Sequence, residues 1–214
     1  MLFSNRREAG RKLAQRLLEA NFPNPFVLAV PRGGVAVGVE VARALGAPLD
    51  LIISRKIPAP FNEELAIGAM APDGTVVLDE NLIRLAALPH GYLERAQEAV
   101  QREIGRRLDH YRGERPWPDL RQNTAIIVDD GIATGLTIRA AALSLKKTAQ
   151  KVVVAAPVAP PDVLTKIPEA DALVLLATPE EFYAVGQFYL QFEQLSDADV
   201  RDLLQSVWGE EKRP

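Results

Sequence analysis

Residues 124–139 read TAIIVDDGIATGLTIR. Two adjacent carboxylates, Asp129 and Asp130, end an apolar run, and a loop of small residues follows them: Gly131, Ile132, Ala133, Thr134, Gly135, Leu136 and Thr137. Small residues and threonine hydroxyls ahead of a helix form a cup for a dianion, because backbone N–H groups, hydroxyls and the helix dipole all favour negative charge there. Carboxylates beside such a cup repel its phosphate unless they hold something else. Vicinal sugar hydroxyls need acceptors, so a ribose 5′-phosphate satisfies both halves: its 2′ and 3′ hydroxyls lie on the acids and its phosphate in the cup. The Gly-Lys-[Ser/Thr] of the nucleotide P-loop is missing.

Two further loops supply counter-charge. Pro31-Arg32-Gly33-Gly34 follows the apolar run FVLAV (26–30). Its glycines let backbone amides approach an anion, and Arg32 offers a guanidinium suited to phosphate oxygens. The plainer reading is a strand-to-helix turn. Ser54-Arg55-Lys56 ends the run PLDLIIS (48–54). Its two cations read as solvated charge leaving the core or, beside the first loop, as part of the anion site.

The elements that must position these loops alternate. FVLAV, PLDLIIS, AIIV (125–128), VVVAAPV (152–158) and ALVLLA (172–177) read as buried strands, about five in all. Helical periods fall over 7–20, with Asn5 as cap, over 35–45, closed by Gly46, and over 136–147 and 162–167. The spacing predicts an α/β fold: an open, mostly parallel twisted sheet flanked by helices, with right-handed crossovers. In such sheets ligands collect at the carboxyl ends of the strands, where the three loops fall. Residues 57–80 break the pattern with Pro58, Pro60, Pro72 and Asp73-Gly74, and read as a mobile loop and a hairpin. A charged helix is expected over 92–111, with Leu93, Ala96, Val100, Ile104 and Leu108 on one face. The C-terminal part is aromatic (Phe182, Tyr183, Phe188, Tyr189, Phe192) and ends in a helix capped by Ser196 with Asp199. The organisation expected is one domain over 1–214: core 25–178, lid and hairpin 57–80, hood and helix 179–214.

Length and composition bound the rest. The chain has 214 residues, 48% of them apolar, no cysteine, and 25 Lys and Arg against 28 Asp and Glu. Thiolate metal sites and cysteine nucleophiles are excluded. The net charge of −3 gives no general attraction to nucleic acid or acidic lipid. No apolar stretch reaches the ~20 residues of a membrane helix, so a cytoplasmic protein is expected. His90 and His110 read as surface or capping residues, and Trp117 and Trp208 as edge packing.

VDDGIATGLTIRAA resembles the 5-phosphoribosyl-1-pyrophosphate (PRPP) binding motif of type I phosphoribosyltransferases. VPRGG stands at the place of that family's pyrophosphate loop and SRK at its second strand end. The resemblance covers roughly residues 25–190 and is greatest to the bacterial branch carrying PRGG and ELAIGA. It implies that Asp129 and Asp130 bind the ribose hydroxyls and that residues 131–137 hold the 5′-phosphate. It also implies that Arg32, Gly33 and Gly34 hold pyrophosphate with Mg²⁺, Asp129 or Asp130 being candidate metal ligands. A non-proline cis peptide is common in the family's pyrophosphate loop, which points to the Pro31–Arg32 bond.

The reaction implied is displacement of pyrophosphate from C1 of the ribose by a nitrogenous base, a purine being the expected acceptor. Arg32 and Lys56 stabilise the leaving charge, Arg55 assists, and segment 57–74 closes as a lid. Where the hypoxanthine-guanine branch has a third Asp in the phosphate loop, this chain has Ala133, as adenine-type enzymes do, so any proton acceptor comes from elsewhere, Glu63 or Glu64 being candidates. PEEFYAVG (179–186) resembles a purine-binding segment, which makes Phe182 either a base-stacking ring or a core residue. A homodimer is expected. The alternative function is a non-catalytic PRPP- or nucleotide-binding regulator, since the same fold serves both. A hydrolase would need a nucleophile or metal cluster that the sequence does not offer.

Overall fold

The computed structural model describes residues 2–86 and 88–211. In chain order its elements begin with α1 (Arg6–Ala20), β1 (Pro25–Ala29), α2 (Gly33–Leu45) and β2 (Leu49–Leu51). There follow β3 (Arg55–Ala59), β4 (Asn62–Met70), β5 (Val76–Leu78), α3 (Glu80–Ala86) and α4 (Tyr92–Arg112). The chain continues with β6 (Thr124–Val128), α5 (Leu136–Leu145), β7 (Lys151–Val158), α6 (Val163–Lys166), β8 (Ala172–Ala177), a 3₁₀ turn (Val185–Phe188) and α7 (Asp197–Glu211).

The apolar runs make one parallel sheet in the order β2-β1-β6-β7-β8. Successive side chains of a strand face opposite layers. Ile126 and Val128 of β6 therefore join the core beneath α1, α2 and α7, while Ala125 and Ile127 join the core beneath α5 and α6. A strand covered on both faces has no solvent side, which is why these segments read as continuous rather than alternating apolar runs.

Helix ends follow local chemistry. Asn5 accepts from the Glu8 N–H at 3.0 Å to start α1. Gly46 closes α2 at φ 58°, in the left-handed region that favours glycine. Ser196 and Asp199 bond reciprocally ahead of α7.

Chain order along the sheet reverses between β1 and β6, and the crevice at such a switch point is where open α/β sheets hold ligands. The loops leaving these two strands are Pro31-Arg32-Gly33-Gly34 and the segment from Asp129 onward.

Three expectations need correction. The hairpin expected within residues 57–80 is present, with β4 and β5 pairing across the Asp73-Gly74 turn, but the rest is not an open loop. Together with Arg55 and Lys56 these residues build a second, antiparallel sheet, β3-β4-β5, whose Ile57, Ile67, Ala69 and Met70 are buried. Pro58 is accommodated where the β3–β4 register shifts on either side of it. PLDLIIS forms only the short β2, because the chain then leaves the core sheet for this second one. Trp208 is no edge residue: it is buried, and its Nε1–H donates to the Leu49 carbonyl at 2.8 Å. Phe182, Phe188, Tyr189 and Phe192 gather with Phe3 in a cluster of their own. No described helix is long and apolar enough to cross a membrane.

One buried ion pair ties the two sheets' surroundings together. Asp50 of β2 is 1% exposed and receives two hydrogen bonds from Arg112, at the end of α4, each 2.8 Å. Arg115 stands 3.8 Å away. Removing a partner from such a pair strands a buried charge. Arg112→Ala should lower stability by about 3 kcal/mol, the low end of that effect because Arg115 stays near. Urea unfolding checks this as a lower midpoint at unchanged slope.

Candidate active site

The glycines of PRGG are required by the acids opposite. A Cβ on Gly33 would stand 1.9 Å from Asp130 Oδ2, and one on Gly34 would stand 2.7 Å from the Val128 carbonyl and 3.0 Å from Asp129 Oδ1. The first turn of α2 therefore packs directly on the acid pair. Carboxylates against a helix N-terminus are favoured by its unpaired N–H groups and dipole. Gly33-Gly34 is thus a strand-to-helix turn at the N-terminus of α2. The Pro31–Arg32 peptide is cis.

Asp130 is not an open carboxylate. Arg6 of α1 donates from Nε to its Oδ2 at 2.7 Å, with both side chains mostly buried. Arg6 is itself held by the Glu193 carbonyl at 2.8 Å and lies over the Phe192 ring at 3.8 Å. The Tyr189 hydroxyl donates to the Asp130 carbonyl at 2.6 Å. Arg6 and Tyr189 were missed in the sequence reading, and nothing in spacing marks a contact across 124 residues. Asp129 accepts from the Asp130 N–H at 2.8 Å. Burial first, and then the charge of Asp130, push the Asp129 carboxyl well above its ordinary value of 3.8.

Within the small-residue loop the roles divide. A Cβ on Gly131 would meet Val185 at 2.4 Å, so this glycine serves close packing. The Ile132 side chain is buried and its N–H donates to the Val158 carbonyl at 2.9 Å. Ala133 and Thr134 are exposed, Gly135 caps α5 at φ 77° without a side-chain cap, and Leu136 and Thr137 occupy the first helical turn. The stretch left to form the expected anion cup is therefore 133–137, where the N–H groups of a helix start lack intrahelical partners.

A cavity of ≈ 750 Å³ opens beside this cup. Its walls include Pro31, then Ser54, Arg55 and Lys56, and then Thr137, so each of the three loops contributes. The remaining wall is α4, through Tyr92, Arg95, Ala96, Ala99, Glu103 and Arg107. Sequence reading gave this helix no part in the site. Asp129, Asp130, Gly33 and Gly34 stand behind the cup and do not line the cavity. Arg32 points elsewhere in part, lying 3.7 Å from Asp197. Phe182 does not line the cavity either; its ring packs on Phe188 with centroids 5.3 Å apart. The side chains of Glu63 and Glu64 lie outside the described residues.

Among the described residues no three carboxylates or histidines gather as a metal cluster. Two neighbouring carboxylates beside a phosphate site still suit Mg²⁺, which takes one or two carboxylates together with substrate phosphates.

Comparison with known proteins agrees with this geometry. A family model described as a phosphoribosyl transferase domain matches residues 3–193. A Mycobacterium tuberculosis protein whose name places it among the phosphoribosyl transferases is 43% identical over 201 residues, which is 93% of this chain and 45% of that protein. The chain thus spans less than half the length of the curated relatives it matches. The crystal structure of TT1426 from Thermus thermophilus is similar at a TM-score of 0.82 and 38% identity, covering 97% of this chain and 99% of that one. A Neisseria gonorrhoeae protein solved with bound ppGpp shares the fold at a TM-score of 0.54 and 15% identity, over 96% and 94% of the two chains.

The raised carboxyl of Asp129 has a measurable sign. The folded protein holds that proton more tightly than the unfolded chain, so stability falls as pH rises above the ordinary value of 3.8. Asp129→Asn should therefore be more stable than the parent at neutral pH, and the gap should close below about pH 4. Thermal unfolding of both proteins across pH 3–8 checks it.

Proposed function

Because the chain belongs to the phosphoribosyltransferase family, we propose that it transfers the 5-phosphoribosyl group of PRPP to a ring nitrogen of a heterocyclic base with release of pyrophosphate. The observation that carries this reading is the meeting of three loops on one cavity: Pro31 after β1, Ser54-Arg55-Lys56 after β2, and Thr137 at the start of α5.

In this reading the 5′-phosphate sits on the N–H groups and hydroxyls of 133–137. Asp129 and Asp130 accept the ribose 2′ and 3′ hydroxyls. Arg6 neutralises Asp130 through Oδ2, which limits the repulsion between the acid pair and a bound phosphate. Arg32, with the N–H groups of Gly33 and Gly34, and Lys56 receive the pyrophosphate.

In the reaction the C1–O bond breaks, its electron pair leaves with pyrophosphate, and a ring nitrogen forms the new bond to C1. Charge separation is the barrier, so cations fixed around the leaving group lower it. Asp129 and Asp130 would be the residues to hold Mg²⁺, which would supply charge neutralisation for the leaving group. The proton lost by the acceptor nitrogen goes to Glu63 or Glu64 of β4, since Ala133 has no group to take it. The β3–β4 turn, where Phe61 is 88% exposed, serves in this reading as the lid that limits water entry.

The test is pyrophosphate release from PRPP and Mg²⁺ with a panel of bases. Base-dependent release is expected; tight PRPP binding with no turnover on any base would instead make the chain a regulator. Asp129→Asn combined with Asp130→Asn should weaken PRPP binding by about 100-fold or more, the loss of two charge-assisted hydrogen bonds. Retained affinity in the folded double variant would refute the roles given to the acids.

A further inference from the structure

Two segments far apart in the chain close on Asp130. From α1, Arg6 donates Nε to Asp130 Oδ2 at 2.7 Å, with only 12% and 14% of the two side chains exposed. Its Nη1 donates to the Glu193 carbonyl at 2.8 Å, and its guanidinium carbon lies 3.8 Å from the centre of the Phe192 ring. Phe192 in turn stacks on Tyr189, with centroids 4.9 Å apart and planes 27° from parallel. Tyr189 is buried, and its hydroxyl donates to the Asp130 carbonyl at 2.6 Å. The first turn of α2 is close as well, since a Cβ on Gly33 would stand 2.9 Å from Arg6 Nε.

Neutralising Asp130 takes less than this. A lysine reaching over from the surface would supply the charge, as Lys146 does for Asp171 and Lys166 for Asp162. Arg6 differs because its planar fork is held by a carboxylate, a backbone carbonyl and an aromatic face together. The aromatic pair that carries it also holds the Asp130 backbone, so Asp130 is fixed through both its carboxylate and its carbonyl. A fixed acceptor and a mobile one read a ligand differently. A carboxylate free to turn finds water when a ligand lacks the expected hydroxyl, so the missing group costs little. One held in place keeps an oxygen unpaired instead, and the deficient ligand is rejected.

We propose that Arg6 and Tyr189 are positioning residues for sugar recognition: they fix Asp130 as a rigid acceptor, so that the site tells ribose from a sugar lacking the hydroxyl that Asp130 takes. This rests on the phosphoribosyltransferase reading and names the sugar specificity within it. Both residues act through Asp130, Arg6 on its carboxylate and Tyr189 on its backbone, and Phe192 joins the two into one support.

The experiment titrates ribose 5-phosphate, 2-deoxyribose 5-phosphate and 3-deoxyribose 5-phosphate into the protein by calorimetry. The parent should bind ribose 5-phosphate about tenfold tighter than either deoxy sugar, the size of one charge-assisted hydrogen bond. Two variants separate position from charge and from packing: Arg6→Lys keeps the charge but not the fork, and Tyr189→Phe keeps the ring but not the hydroxyl. Each should cut the preference over at least one deoxy sugar to about twofold, most of that hydrogen bond being lost. The sugar that shows it marks the hydroxyl held by Asp130. A merely structural role predicts otherwise, since a loosened fold weakens all three sugar phosphates together and leaves their ratios unchanged. Unchanged ratios in Arg6→Lys would overturn the part given to Arg6, and in Tyr189→Phe the part given to Tyr189. A parent that binds all three sugars equally would overturn the inference, because Asp130 then reads no hydroxyl. Failure of both ribose 5-phosphate and PRPP to bind the parent would overturn the phosphoribosyl reading and this inference with it.

Discussion

Two carboxylates forced together at a strand end need compensation before anything else in the site can form. Asp129 and Asp130 obtain it from opposite directions: the first turn of α2 presses on them through Gly33 and Gly34, and Arg6 closes on Asp130 from α1. Most of the surrounding architecture can be read as a consequence. The close α1–α2 contact, where a Cβ on Gly10 would stand 2.9 Å from the Glu40 side chain, sets the height at which Arg6 arrives. Arg7 and Arg11 hold the same Glu40 at 3.0 and 3.1 Å and fix the helix in rotation. The cost of crowding the acids is carried mainly by Asp129, whose proton is hard to remove, and functional sites are where such local costs are tolerated.

The core sheet separates two tasks. Its buried interior supplies rigidity, since β1, β6 and β7 are covered on both faces. Its carboxyl edge supplies chemistry, since only there do helix starts, cations and small residues meet. The second sheet and α4 stand beyond that edge and shape what else can enter.

Much of this was legible in the sequence. Strands such as AIIV and VVVAAPV read correctly because full burial leaves a continuous apolar run, and Asn5, Gly46 and Ser196 marked helix ends through local chemistry that needs no tertiary context. The acid pair and its loop were legible because charge beside small residues is unusual at a strand end. What escaped has a common cause. Arg6, Tyr189 and Trp208 act across long stretches of chain, where no period or cap reports a contact. The β3-β4-β5 sheet was hidden by prolines that a register shift accommodates. The place of α4 at the cavity went unread because a cavity wall and an outer surface have the same composition.

The segment carrying Phe3 runs beside residues 188–190, with the Phe3 N–H donating to the Phe188 carbonyl and the Leu190 N–H to the Phe3 carbonyl, both at 2.8 Å. This seam joins distant parts of the domain next to Asp130. During synthesis the sheet's strands are complete once residue 177 has emerged, yet Phe192 and Glu193, which steady Arg6, are still inside the ribosome. A nascent chain therefore holds every strand of its sheet before the aromatic stretch beside Asp130 has followed it out of the exit tunnel, and the share of the core that α7 supplies comes last.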